Sequence, residues 1–94
     1  MKIKQSVINT FKRVGIDPDM AQAMLDSTAK MTVNNRFSGE SCEVNPLIFK
    51  LINWVYATSN DYEMGIQKVN VSDFDRVRYF ILDIDSNAYS TCID

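Results

Sequence analysis

Residues 45–58, NPLIFKLINWVYAT, predict a helix that is apolar around much more than one face. Asn45 is a good N-cap, and Pro46 suits the first helical position because the N–H that proline lacks would have no partner there. At 100° per residue the apolar side chains span an arc of about 220°, whereas a surface helix needs about half of that. These side chains are Leu47, Ile48, Phe49, Leu51, Ile52, Trp54, Val55 and Tyr56. Such a helix is expected at the centre of the fold or against another chain.

The two flanks of this helix are the predicted partner-binding surface. Leu47 and Trp54 lie on one flank, and Phe49 and Tyr56 lie on the other. Four helices cannot easily cover both flanks, and aromatic side chains are enriched where protein interfaces gain most of their energy. One flank is therefore expected to bind another protein or a second copy of the chain. Complete burial of all four side chains within one molecule remains the alternative.

Two further helices are predicted before residue 45. Apolar residues recur at helical spacing over 3–14, and Gly15 follows as a residue that can end a helix. A second helix is predicted over 18–31, since Asp17 can cap it and Pro18 suits its first turn. The two helices are joined by so few residues that they should pack as neighbours or form a sharp corner.

The remaining segments are a long loop, a connector and a last helix. Residues 32–44 are rich in Asn, Ser and Gly, which is typical of a loop, with Val33 and Phe37 expected to turn inward. Residues 66–71 are expected to be an extended connector that could include a minor strand. Ser72 is then expected to start a last helix that runs to residue 88.

The sequence therefore predicts a single all-α domain over residues 1–94, built as a compact four-helix fold with a long loop between helices 2 and 3. The helices are placed near 3–14, 18–31, 46–60 and 72–88. Its predicted core consists of Ile3, Val7, Phe11, Met24, Ile48, Leu51, Ile52, Val55, Val77, Ile81 and Ile84.

The composition gives little support for catalysis or metal binding. The chain has no histidine, which removes the commonest general base near neutral pH and the commonest zinc ligand. Its three glycines do not form a phosphate-binding pattern. Residues 83–94 share the acidic spacing of a calcium-binding loop, but Ala88 stands where such a loop needs glycine. We expect neither an enzyme nor a bound metal or cofactor.

Nucleic-acid binding is the first alternative function. The formal net charge is −2, yet residues 1–14 carry Lys2, Lys4, Lys12 and Arg13 with no acid. Two helices joined at Gly15 are compatible with a helix-turn-helix regulator that uses these cations. Against this, the second helix would bring Asp17 and Asp19 to the phosphate backbone. A module that binds a small ligand through Arg36, Arg76 or Arg78 is the second alternative.

The expected location of the protein follows from the absence of two signals. The N-terminus does not resemble an export signal, and no run approaches the roughly 18 apolar residues of a membrane span. A cytoplasmic location without membrane contact is expected, with Cys42 and Cys92 as reduced structural thiols. The expected function is that of a small non-catalytic interaction protein, such as a regulator, an inhibitor or an assembly factor.

Overall fold

The computed structural model describes all 94 residues and contains five helices and a two-stranded antiparallel sheet. In chain order the elements are α1 (Gln5–Arg13), α2 (Pro18–Asp26), β1 (Met31–Asn34), β2 (Ser41–Val44), α3 (Pro46–Glu63), α4 (Val71–Ile84) and α5 (Ser86–Cys92). The predicted four-helix all-α fold is therefore wrong, because it lacks the sheet and one of the helices.

The apolar helix α3 lies at the centre, as residues 45–58 indicate. It packs against α2, α4 and β1, so its apolar arc is covered from several sides. Eight of the predicted core residues are buried: Ile3, Phe11, Ile48, Leu51, Ile52, Val55, Val77 and Ile81. The other three, Val7, Met24 and Ile84, are partly buried against the same cluster.

Side chains cap most of the helices. The Asp17 carboxylate accepts a hydrogen bond from the amide of Asp19 at 2.9 Å, as expected for the start of α2. The Asn45 side chain likewise accepts from the amide of Ile48 at 2.8 Å and starts α3. For α4 the prediction of Ser72 as the first residue is wrong by one position. Asn70 is the cap, its side chain accepts from the amide of Asp73 at 2.8 Å, and the helix begins at Val71.

Glycine ends α1 and α3 in the same way. Gly15 and Gly65 have φ values of 82° and 79°, which other residues rarely adopt. After α1 the amide of Ile16 donates to the carbonyl of Phe11 at 2.8 Å, and after α3 the amide of Ile66 donates to that of Asp61 at 2.8 Å. Both patterns are Schellman caps, which satisfy the last carbonyls of a helix and turn the chain sharply.

The segment predicted as a long loop contains a β-hairpin. β1 pairs with β2 so that Val33 lies opposite Cys42 and Met31 opposite Val44, and these side chains face the core. The alternate side chains, those of Thr32, Asn34, Ser41 and Glu43, are exposed. Helix α2 ends at Asp26 rather than at 31, because Ser27 has an extended backbone (φ −67°, ψ 143°) and Met31 already belongs to β1. No strand forms over 66–71, where a minor extended segment was an option.

The helix predicted over 72–88 is divided at Asp85. This residue has an extended backbone (φ −148°, ψ 84°), and its carboxylate accepts from the amide of Ala88 at 3.0 Å as the cap of α5. The break turns α5 back onto the molecule, where it packs against α4 and β2 and buries Ala88 and Cys92.

An ion pair joins α1 to α4. The Arg13 guanidinium donates through Nη2 to Asp73 Oδ1 at 2.8 Å and through Nε to both carboxylate oxygens at 3.1 Å. Asp73 is only 5% exposed. Its hydrogen bonds with Arg13 hold the pKa of the carboxyl below its usual range, although burial acts in the opposite direction.

This depressed pKa predicts a loss of stability in acid. Because the pKa of Asp73 is lower in the folded than in the unfolded chain, its contribution is fully present above the unfolded value of about 3.9 and is lost as the pH falls further. The difference in unfolding free energy between the wild type and Asp73→Asn should therefore shrink from pH 6 to pH 3, measured by urea denaturation at each pH.

The control is Asp83→Asn, which removes an exposed acid from the same helix. It should destabilise the protein much less than Asp73→Asn does at pH 6. A difference for Asp73→Asn that is the same at pH 6 and pH 3 would contradict the role given to the ion pair.

Candidate functional site

The turn of the hairpin is ordered by the side chain of Asn35. Its Oδ1 accepts hydrogen bonds from the amides of Phe37 at 2.7 Å and Ser38 at 3.0 Å. The amide of Asn35 donates to the carbonyl of Glu40 at 2.7 Å, and Gly39 supplies the positive φ of 76° that closes the turn. These hydrogen bonds and the glycine give the turn a defined backbone geometry.

Two further contacts attach the turn to the body of the protein. Asn35 Nδ2 donates to the carbonyl of Thr91 in α5 at 2.7 Å. The Arg36 guanidinium lies over the ring of Tyr56 in α3, 4.7 Å from its centroid. A cation placed in this way is attracted to the ring face. The turn is thus held against α5 by one contact and against α3 by the other.

Phe37 lies at the tip of this turn and is 94% exposed. The expectation that Val33 and Phe37 turn inward is correct for Val33, which is buried, and wrong for Phe37. Alternation along β1 directs Val33 to the core, but the turn hydrogen bonds of Asn35 end that alternation before residue 37. The result is a large apolar side chain on an ordered backbone in full contact with water.

A cleft of about 390 Å³ opens beside this turn, between α3, α4 and the C-terminal residues. We call it the turn cleft. Its apolar lining comes from Phe37, Val55, Tyr56, Phe74, Cys92 and Ile93. Its polar and charged lining comes from Asn35, Arg36, Ser59, Asn60, Glu63, Arg78 and Asp94. The cleft therefore combines apolar walls with charges of both signs.

Tyr56 is fixed within the turn cleft. Its hydroxyl donates to the carbonyl of Cys92 at 2.6 Å. Burial, followed by the neighbouring Cys92, raises the pKa of Tyr56, while Arg36 acts in the opposite direction. The hydroxyl therefore stays protonated and remains a hydrogen-bond donor at neutral pH.

The three arginines of the small-ligand alternative have different surroundings. Arg78 lines the turn cleft but already contacts Asp75 at 3.2 Å and the hydroxyl of Tyr89 at 3.3 Å. Arg36 lines the same cleft and forms no salt bridge. Arg76 is exposed and lies outside the cleft. The fold therefore brings Arg36 and Arg78 together in the cleft, and of these two only Arg36 forms no salt bridge.

The four residues of the predicted partner surface are separated by the fold. Leu47 is 0% exposed, so it is core and offers nothing to a partner in this structure. Phe49 and Trp54 are partly buried against the core, and Trp54 packs on Phe74 with ring centroids 6.0 Å apart. Helix α4 thus covers part of the Trp54 flank, and the rest of Trp54 lines a second cleft of about 580 Å³ together with Lys68 and Asp73. Of the four residues, only Tyr56 lines the turn cleft.

The basic residues of the nucleic-acid alternative do not form a free cationic face. Lys2, Lys4 and Lys12 are exposed, but Arg13 is paired with Asp73. Asp17 caps α2 and Asp19 lies in its first turn, so the helix that would enter a DNA groove begins with two acids. These two acids would oppose a phosphate backbone, whereas the three exposed lysines would attract it.

The structure groups no three side chains of His, Cys, Asp or Glu in a way that could hold a metal ion. The acidic stretch near residue 83 forms the end of α4, a helix cap and α5. Every buried side-chain nitrogen or oxygen has a hydrogen-bond partner. None of the five helices has both the length and the apolar character that crossing a membrane requires.

No protein-family model, curated protein or solved structure matches this chain.

Two residues of the site, Asn35 and Phe37, were missed by sequence reasoning. The available signal was the alternation of MTVN and SCEV around a turn with Asn35 at its start and Gly39 near its end. That pattern indicates a hairpin. Each strand is only four residues long, which makes the signal weak.

Loss of the Asn35 side chain should loosen the turn. Asn35→Ala removes its three side-chain hydrogen bonds and should lower the unfolding free energy by about 1–3 kcal/mol, since each bond contributes about 1 kcal/mol net. The matched control is Asn34→Ala, an exposed neighbour whose effect should stay within about 0.5 kcal/mol. Urea denaturation of both variants measures the difference. Equal effects would contradict the anchoring role of Asn35.

Proposed function

We propose that this protein is a small non-catalytic interaction module that binds another protein, or a second copy of itself, through the turn cleft. The observation that carries this proposal is Phe37, which is 94% exposed on a turn whose backbone is fixed by hydrogen bonds. In this role the protein would act as a regulator, an inhibitor or an assembly factor for its partner.

The energetic argument rests on what burial of Phe37 contributes. Covering such a side chain is worth about 1.5–3 kcal/mol. A flexible loop would lose part of this gain because its backbone would have to be ordered on binding. Here Asn35 has already ordered the backbone, so most of the gain is available to an interface. Arg36 stands next to Phe37, and arginine and aromatic residues are typical of the strongest contacts in interfaces.

A protein surface suits the turn cleft better than a small ligand does. A small ligand within the cleft would leave most of Phe37 in contact with water, whereas a partner surface can cover the cleft and Phe37 together. Arg36 and Arg78 also share the cleft with Glu63 and Asp94, so there is no one-sided charge to attract a small anion. The mixed charges are compatible with the polar rim that surrounds the apolar centre of many interfaces.

The test compares Phe37→Ala with Tyr79→Ala. Tyr79 is also an exposed aromatic residue, at 57%, but it lies on α4 outside the turn cleft. Each purified protein is used in a quantitative pull-down from nuclease-treated native lysate, and its own mass in solution is measured by light scattering. Circular dichroism checks that both variants are folded.

The expected result is a partner, or a self-associated species, that the wild type and Tyr79→Ala retain and that Phe37→Ala binds at least about tenfold more weakly. The proposal fails if Phe37→Ala retains the same partners as the wild type. It also fails if the wild type shows neither a specific partner nor self-association.

A further inference from the structure

The two cysteines of the chain are fifty residues apart in sequence but meet in the fold. Cys42 lies on the inward face of β2, and Cys92 lies in α5, which packs against that strand. The two side chains lie close enough for Cys92 to affect the ionisation of the Cys42 thiol. Both are free, and their side chains belong to or contact the core cluster.

Access from solvent differs between the two thiols. Cys42 is partly exposed, whereas Cys92 is only 3% exposed. Burial, and after it the neighbouring Cys92, raises the pKa of Cys42 to about 11. Since only the thiolate attacks a disulfide, Cys42 should react slowly at neutral pH and about ten times faster for each unit of pH increase. A disulfide reagent in solution would therefore react first with Cys42, and Cys92 is the second thiol next to it.

We propose that Cys42 and Cys92 form a reversible disulfide that links the β-hairpin to α5, made by exchange with a small-molecule disulfide such as glutathione disulfide. Cys42 loses its proton and attacks one sulfur of glutathione disulfide, which breaks that S–S bond and releases one glutathione. Cys92 then loses its proton and attacks the sulfur of Cys42, which releases the second glutathione and forms the new bond. The two thiols lose two electrons and two protons, and glutathione disulfide becomes two glutathione molecules.

The bond would reinforce a junction that the fold already makes. The hairpin is attached to α5 by the hydrogen bond from Asn35 to the carbonyl of Thr91, close to Cys92 in sequence. A cross-link between residues fifty apart restricts the unfolded chain strongly and should raise the melting temperature by roughly 10 °C or more.

The experiment treats the wild type, Cys42→Ser and Cys92→Ser with excess glutathione disulfide at pH 7 and pH 9, followed by intact-mass spectrometry and non-reducing gels. The wild type should become a monomer two hydrogens lighter, about a hundred times faster at pH 9 than at pH 7. Cys92→Ser should stop as an adduct with one glutathione on Cys42. Cys42→Ser should stay largely unmodified because Cys92 is buried.

The oxidised wild type is then melted before and after treatment with dithiothreitol. The expected result is a higher melting temperature that returns to its original value on reduction. The proposal is overturned if the wild type keeps a stable glutathione adduct, forms disulfide-linked dimers, or remains unmodified at both pH values. A cross-linked monomer that melts no higher than the reduced protein would equally overturn it, because the bond would then not fit the native fold.

Discussion

The apolar side chains between Leu47 and Tyr56 form a belt around α3 that has to be covered on several sides at once. The rest of the fold is arranged around that need. Burial of apolar area is the main favourable contribution to folding, and a chain of 94 residues has few elements to supply it. Helices α2 and α4 cover part of the belt, and β1 of the hairpin covers another part. Leu47, Ile48, Leu51 and Ile52 are fully buried as a result.

The candidate site follows from the same arrangement. The hairpin that packs against α3 through β1 also carries the turn, which therefore lies beside the C-terminal half of α3. Arg36 can then rest on Tyr56, and Phe37 is left outside the core. Because β2 packs against α5, the hairpin also brings Cys42 to Cys92. The hairpin thus covers part of the core, carries the exposed Phe37 and places Cys42 near Cys92.

Several local features of the structure could be predicted from the sequence, whereas features that depend on distant packing could not. The caps at Asp17 and Asn45 were predicted correctly because a cap involves only neighbouring residues. The hairpin over 31–44 was missed because two four-residue strands are stable only against α3 and α5. The break at Asp85 was missed although its cap is also local, because continued helical periodicity fits Ile84 and Ala88 as well. The sequence reveals the width of the apolar arc but not which flank remains open.

Residue-resolved amide hydrogen exchange of the native protein, followed by NMR, tests the central claim most directly. That claim is that the turn is an ordered structure which presents Phe37 in a fixed position. The amides of Asn35, Phe37 and Ser38, each of which donates a hydrogen bond, should exchange at least about tenfold more slowly than in an unstructured peptide. Exchange of these amides at peptide rates, while those of α3 remain protected, would show a flexible loop and contradict the account.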